Sequence, residues 1–432
     1  MVPTILLVNP PIYDFAAYDF WLKPYGLLSI AGYLRGKAQL TLFDYLDRLH
    51  PLMARRPGLE SDRWGRGRFP EQRIATPSCL ARIPRHFRRF GLPRAVFQSL
   101  LKEERRFDFV LVQTMMTYWY PGVKEVIEDI RTLQPAAKII LGGNYVTLCP
   151  AHAETLAADL LVHGAHLRPL WELVGISPQL NEPALWEAYE HVNVAVTKLS
   201  DGCPFKCTYC SVPKVYGKFK PRPTECSLAE LELLTARRVE NIAFYDDALL
   251  FDAEKVLMPF LEETIRRKTH VNFHSPNALN ARFVTADLAG LMVRAGFETF
   301  YLGFESSSAQ WQKCTGSKVF SEELAQAVGH LTAGGAQSAN ITAYQLLGHP
   351  NTSLQQIEET MGFVQSLGIR GMLADFSPIP GTPDGEAARE WVDMDEPLLH
   401  NKTAFPIIML GFEETNRLKD LQRRLNRSLG DA

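Results

Sequence analysis

The sequence predicts a two-domain α/β protein: a doubly wound, Rossmann-like parallel sheet followed by a partial β/α barrel of six repeats. Short apolar, β-rich runs alternate with amphipathic stretches along most of the chain, which is the pattern of parallel strands joined by crossover helices. At 432 residues the chain exceeds the size at which one hydrophobic core stops growing, so two domains are the natural division. An acidic, Pro-containing passage, "SPQLNEPALWEAYEH", interrupts the alternation once and places the boundary near residues 175–192.

Taken in order, the first domain (1–180) opens on "TILLVNPP", read as a strand because it lacks the basic start and cleavage site of an export signal. "GLLSIAGYLRG" then reads as a helix and "AQLTLFDYL" as a strand. After an insertion come "FDFVLVQTM", "PGVKEVIEDIRTLQ", "AKIILGGN" and "ADLLVHGA". In open parallel sheets ligands sit beyond the carboxyl ends of strands, here "NPP", "TMMTYWYPG" and "LGGNYVTLCP". The insertion, residues 51–106, holds 14 Lys and Arg against 5 acidic residues, with Trp64, Phe69 and Phe87 among them. It reads either as an anion-facing surface or as a solvated segment whose arginines pair with acidic groups elsewhere in the chain.

The second domain (190–385) offers six strand candidates: "VAVTKLS", "NIAFYDD", "THVNFHS", "TFYLGFES", "NITAYQLLG" and "RGMLADFSPIP". "SLAE" at Ser227 and "SLQQ" at Ser353 have the form of capping boxes and mark helix starts between strands. A closed eight-fold barrel needs about 250 residues, so an incomplete barrel fits the available chain. Residues 386–432 end in "RLKDLQRRLNRSLGDA", a basic helical extension.

Hydrophobic residues make up 46% and charged residues 22% of the chain, which excludes wholesale disorder, and a net charge of -2 gives no whole-molecule pull toward nucleic acid. No window approaches 18 uninterrupted apolar residues, so no membrane span is expected. Seven cysteines, an odd number, argue for reduced thiols rather than a disulfide framework. A soluble, cytoplasmic protein is the expectation.

Three of those cysteines, Cys203, Cys207 and Cys210, stand in "DGCPFKCTYCSVPKVYG" in a C-x3-C-x2-C pattern directly after the first strand of the second domain. Structural zinc is normally closed by four ligands, and His191 and His274 have no zinc spacing to this loop. An iron–sulfur cubane also needs four ligands, and thiolates normally supply them. Either Cys226 or Cys314 folds back as a fourth, giving a plain electron carrier, or one iron stays open for another molecule.

C-x3-C-x2-C at the first strand of a six-fold β/α repeat resembles the radical S-adenosylmethionine (radical SAM) superfamily. The resemblance implies a [4Fe-4S] cluster on Cys203, Cys207 and Cys210 whose open iron chelates the amino and carboxylate groups of S-adenosylmethionine. It implies that Tyr209 supports the adenine, and that Asp246 or Asp247, in "FYDDAL", holds the methionine ammonium. Glu305, with Ser306 and Ser307 beside it in "LGFESSS", corresponds to the ribose-binding segment. Arg282, in "PNALNARF", corresponds to residues that meet the methionine carboxylate, and Gly348, in "LLGHPNTS", to the loop near adenine. Read without the family, Asp246 or Asp247 caps a helix, Glu305 forms a barrel-mouth ion pair and Arg282 pairs on the surface.

The first domain resembles the cobalamin-binding type found in one class of that superfamily, with Tyr118, Trp119, Gly142 and Gly143 at strand ends as candidate cofactor contacts. The Asp-x-His-x-x-Gly segment that ligates cobalt in many cobalamin proteins is absent. The aromatic run around Tyr118 reads equally as packing or a substrate wall. The function implied is reductive cleavage of S-adenosylmethionine and, with cobalamin, methylation of an unactivated carbon or phosphorus of a small molecule bound between the domains. The alternatives are a cobalamin-independent radical enzyme catalysing rearrangement, cyclisation or dehydrogenation, and a non-catalytic iron–sulfur electron carrier. The partners expected are a small-molecule substrate, anionic if the basic insertion faces it, and an electron donor such as flavodoxin or ferredoxin, with no nucleic acid and no membrane.

Overall fold

Runs such as Ile-Leu-Leu-Val in strand β1 (Thr4–Asn9) are apolar at every position because both faces of the strand are covered. The computed structural model describes residues 2–53, 58–103 and 106–429. The chain divides into two compact units, Met1–Asn193 with Asp393–Asn401, and Val194–Val392 with Lys402–Ala432.

In the first unit β1 is followed by α1 (Tyr25–Tyr33), β2 (Gln39–Asp44), β3 (Phe109–Thr114), α2 (Tyr120–Leu133), β4 (Lys138–Gly143) and β5 (Leu160–Val162). The sheet runs β5-β4-β3-β1-β2, and every neighbouring pair is parallel. Alternate residues serve opposite faces. Leu6, Val8, Val110, Val112, Ile139 and Leu141 pack with Val123, Val126 and Ile130 of α2. Ile5, Leu7, Leu111 and Ile140 pack with Leu27 and Ala31 of α1. The strand order reverses between β1 and β3, so the crevice that such sheets offer to ligands lies outside those two carboxyl ends.

Four arginines of the basic insertion are paired within its own unit. Arg89 is buried and makes a bidentate pair with Glu125 at 2.9 and 2.6 Å. Arg94 grips Asp129 at 2.8 and 2.9 Å, Arg88 pairs with Glu71 at 3.1 Å, and Arg66 with Asp62 at 2.8 Å. Arg55, Arg56 and Arg105 lie outside the described residues. The expected pairing with acidic groups elsewhere in the chain therefore holds for Arg89 and Arg94, while Arg66 and Arg88 pair inside the insertion itself.

In the second unit β6 (Val194–Thr197), α3 (Thr224–Ala236), β7 (Asn241–Phe244), α4 (Leu257–Arg266), β8 (Asn272–Asn280), α5 (Ala286–Arg294), β9 (Phe297–Glu305), α6 (Ser321–Ala333), β10 (Ile341–Leu347), α7 (Leu354–Ser366) and β11 (Arg370–Asp375) alternate along the chain. The six strands form one all-parallel sheet in sequence order. The second capping box is present: Ser353 Oγ accepts from Gln356 N at 3.2 Å while Gln356 Oε1 accepts from Ser353 N at 3.0 Å. The first is not. Pro223 takes the cap position of α3 four residues earlier than Ser227 suggested, and the buried Ser227 hydroxyl turns instead to Lys198 O at 3.4 Å.

The chain beyond residue 386 is shared between the units. Asp393–Asn401 groups with the first, where Asn401 Nδ2 donates to Asp14 at 2.8 Å and His400 meets Thr117 at 2.9 Å. Helix α8 (Phe412–Ser428) belongs to the second, with Leu418 packed on Leu347, Ile357 and Met361. Among the described residues no helix is long and apolar enough to cross a membrane.

Candidate functional site at the carboxyl end of the second sheet

The cysteine loop leaves the end of β6, where it is fixed by Asp246 from the end of β7. Both carboxylate oxygens of Asp246 accept from Leu199 N, at 3.0 and 3.1 Å, and Oδ1 also takes Ser200 Oγ at 2.6 Å. Burial pushes the Asp246 carboxyl up to about 6, against the hydrogen bond from Ser200 and the charge of Lys198. Asp246 is thus spent on anchoring the loop. Its neighbour is not: Asp247 accepts from the Gly202 amide, yet its Oδ2 is buried without a hydrogen-bond partner.

Two glycines let backbone close on the cysteines. Gly202 has φ +72°, and a Cβ there would lie 2.5 Å from Lys218 O. Gly316 has φ +116°, and its Cβ would stand 3.1 Å from Cys207 Cα. Both are left-handed positions suited to glycine. Burial raises all three thiols, Cys210 to about 11. Cys203 and Cys210 each feel the charge of Cys207, and the Lys318 ammonium opposes the rise at all three. Tyr209 is half-buried, stacked on Trp311 with centroids 6.0 Å apart, and its hydroxyl hydrogen-bonds Cys207.

Among the described residues no three His, Cys, Asp or Glu side chains are gathered closely enough to hold a single metal ion. A cluster of several irons asks for something different, because the irons and sulfides between its thiolates hold them apart. Three thiols on one loop, electrostatically coupled and beside a half-buried cation, fit that demand.

Glu305 ends β9 in an unusual way. Gly303 pairs with Tyr344 and Glu305 with the next residue, Gln345, so Phe304 is the extra residue of a bulge. Glu305 has φ +62°, a conformation that costs a non-glycine residue about 1–3 kcal/mol and collects at functional sites. Its Oε1 accepts from Lys318 Nζ at 3.0 Å, and its Oε2 is buried without a partner. The Asn280 Nδ2 amide, at the end of β8, is likewise buried and unpartnered. Three consecutive strand ends therefore carry polar atoms that the protein itself leaves unsatisfied, an expensive arrangement unless something else binds them.

Sequence reasoning missed Asn280 and Lys318. Asn280 stands two residues before Arg282, and Lys318 follows Glu305 by 13 positions, beyond a helix and a tight glycine turn; neither spacing is a motif. Arg282 is occupied elsewhere, with Glu323 at 2.8 Å and Ser317 O at 2.7 Å. Ser306 Oγ accepts from Ser308 N at 3.2 Å, and Ser307 bonds Thr360 through its amide at 3.0 Å and its hydroxyl at 3.1 Å. Gly348 has φ +82°, and a Cβ there would lie 2.7 Å from Pro406 Cα, so its lack of a side chain serves packing.

Of the four residues marked in the first unit, Trp119 and Gly143 are engaged by protein. Tyr118 is 1% exposed. Trp119 Nε1 donates to Asp14 Oδ2 at 2.8 Å. Gly143, at φ +121°, is pressed against β3, where a Cβ would meet Thr114 O at 2.1 Å, while Gly142 has ordinary contact with Val162. The strand order suits a ligand at the carboxyl edge, where the Trp119 indole and the Gly143 turn are taken up by protein contacts.

Residues 197–364 match the radical SAM superfamily. A bacteriochlorophyllide d C-12(1)-methyltransferase of Chlorobaculum tepidum is 26% identical over 254 residues, which are 55% of this chain and 54% of that protein. The chain spans about half the length of that relative. The structure of TsrM from Kitasatospora setae, a radical S-adenosylmethionine methyltransferase with cobalamin and a [4Fe-4S] cluster bound, superposes with a TM-score of 0.67 over 90% of this chain and 78% of its own, at 16% identity. OxsB, a cobalamin-dependent S-adenosylmethionine radical enzyme with aqua-cobalamin and S-adenosylmethionine bound, gives 0.60 over 98% of this chain and 61% of its own, at 14% identity. At those identities the likeness is one of fold, and it extends across both units.

Proposed function

We propose that this chain, a member of the radical SAM superfamily through residues 197–364, reductively cleaves S-adenosylmethionine at a [4Fe-4S] cluster and methylates an unactivated carbon or phosphorus of a small molecule with the help of cobalamin. One observation carries the reading. The only C-x3-C-x2-C loop of the chain lies beside consecutive strand ends bearing Asp247, Asn280 and Glu305, each with a buried unpartnered polar atom, and beside the half-buried cation Lys318.

In this reading Cys203, Cys207 and Cys210 supply three thiolates, and Lys318 offsets their charge. Asp247, with its open oxygen, receives the methionine ammonium, and Lys318 faces the methionine carboxylate in place of Arg282. The free oxygen of Glu305 accepts from the ribose hydroxyls, because a charged acceptor makes the stronger hydrogen bond. When bound, the cluster supplies the electron that releases a 5'-deoxyadenosyl radical, and cobalamin supplies a carrier for the methyl group. An external donor such as flavodoxin or ferredoxin provides the electron. No residue of the first unit is assigned to cobalamin.

A second reading has its own support. Because Trp119 donates to Asp14 and Gly143 is pressed against Thr114 O, the first unit fits equally a cobalamin-independent radical enzyme. Anaerobic reconstitution with iron, sulfide and hydroxocobalamin separates the two. Four irons with one cobalt after desalting support the methyl-transfer reading; four irons without cobalt support the second. A chain with Cys203, Cys207 and Cys210 all changed to Ala that still forms 5'-deoxyadenosine refutes both.

A further inference from the structure

The six-stranded sheet begins at β6 and ends at β11, and among the described residues no strand pairing joins these edges. A side-chain network does. Thr208, between Cys207 and Cys210, donates its hydroxyl to Asp384 Oδ2 at 2.6 Å, and its carbonyl accepts from the Asp384 backbone N–H at 3.2 Å. The loop after β6 is thus tied at two points to the segment after β11.

The carboxylate that makes this tie is itself held. His349, in the loop after β10, is 1% exposed and meets Asp384 Oδ2 through Nε2 at 3.0 Å. Its Nδ1 receives the Trp311 indole N–H at 3.4 Å and the Asn351 amide at 3.2 Å. Indole and amide N–H groups can only donate, so the ring proton sits on Nε2 and His349 donates to Asp384. Trp311 closes the circuit by stacking on Tyr209, next to the third cysteine. Burial acts to raise the Asp384 carboxyl, but the hydrogen bonds from His349 and Thr208 outweigh it and hold the group below its ordinary value. The Asp384 carboxylate therefore stays charged when Thr208 and His349 point at it.

We propose that Asp384, oriented by His349, is a latch across the open seam of the barrel, and that it positions the Cys207–Cys210 arm of the cysteine loop against the groups on β7 and β9. All three, Thr208, His349 and Asp384, are positioning residues rather than catalytic ones. The latch rests on the proposed function for its purpose, not for its existence: the network connects four different loops whether or not a cluster is present. A second-sphere tie of this kind fixes ligand orientation and, through it, the properties of a metal centre.

The test compares Thr208→Val, which keeps the shape and removes the hydroxyl, with Thr208→Ser, which keeps the hydroxyl, and with Asp384→Asn. The reconstituted proteins are examined for iron content, the paramagnetic resonance spectrum of the reduced cluster, and the S-adenosylmethionine concentration that half-saturates the change in that spectrum. The latch predicts full iron loading in all, a shifted or broadened spectrum and an increase of about tenfold or more in the half-saturating concentration for Thr208→Val, and wild-type behaviour for Thr208→Ser. Wild-type spectra and half-saturation within about twofold in both Thr208→Val and Asp384→Asn overturn it. Should the unmodified chain bind no cluster, the proposed function fails on its own. The latch is then read by amide hydrogen exchange of residues 203–217 in the metal-free chain, where unchanged exchange in Thr208→Val overturns it and faster exchange upholds it.

Discussion

Replacing Lys318 by Met tests the core of the site. Lys318 Nζ and Glu305 Oε1 are 3.0 Å apart, and their side chains are 16% and 9% exposed. At an effective dielectric of ~20 such a pair attracts by about 5–6 kcal/mol before desolvation is counted. Removing only the cation leaves Glu305 buried and charged at a strained backbone position, and broken buried pairs of this kind cost about 3–5 kcal/mol. Removing both charges, as in Lys318→Met with Glu305→Gln, relieves that penalty, so the double variant is expected to be more stable than the sum of the single changes by about 2–3 kcal/mol. Urea unfolding of the four metal-free proteins measures this coupling. S-adenosylmethionine binding to the reconstituted proteins supplies the functional half, with affinity in Lys318→Met falling at least tenfold, about 1.4 kcal/mol. Coupling below about 0.5 kcal/mol, or unchanged affinity in Lys318→Met, refutes the reasoning that the two groups form one charged unit in the binding site.

Asp246 gives a pH dependence. Its carboxyl is raised by burial to about 6, so between about pH 4 and 6 the folded chain keeps a proton that the unfolded chain has released. Stability from this group falls as pH rises through that window, by about 2–3 kcal/mol, and the unfolding free energy of Asp246→Asn relative to wild type should improve by that amount from pH 4 to pH 7. A difference that is flat with pH contradicts the assignment. Ser353→Ala removes the capping hydroxyl of α7 and is expected to lose about 1 kcal/mol in the same unfolding assay. Gly348→Ala forces a Cβ to within 2.7 Å of Pro406 Cα at φ +82°; a loss of about 2 kcal/mol or more in chemical denaturation is expected, and a neutral outcome would show that the 404–410 segment gives way.

The alternation of apolar runs and amphipathic stretches placed the inner strands such as β1, β3 and β9, because a strand buried on both faces is apolar and a crossover helix on one face only. It ended β8 at Ser275, whereas that strand continues through polar residues to Asn280. The three cysteines were legible for a similar reason: ligands on one short loop leave a local spacing. The helix start at Ser353 was readable and that at Ser227 was not, since the proline four residues upstream competes for the same role.

What the sequence could not disclose lies in groups brought together from distant positions. "YDD" cannot say which aspartate is spent on Leu199 and which keeps an open oxygen; that depends on how β6 and β7 align. Nor can it say that Arg282 is taken by Glu323 while Lys318 turns to Glu305, or that a histidine after β10 and an aspartate after β11 close on Thr208. Local patterning determines strands, helices and the cysteine loop because each answers to neighbours a few residues away. The pairing of buried charges is decided by tertiary structure, because in a low-dielectric interior the partner that prevails is the nearest one in space, whatever its distance along the chain.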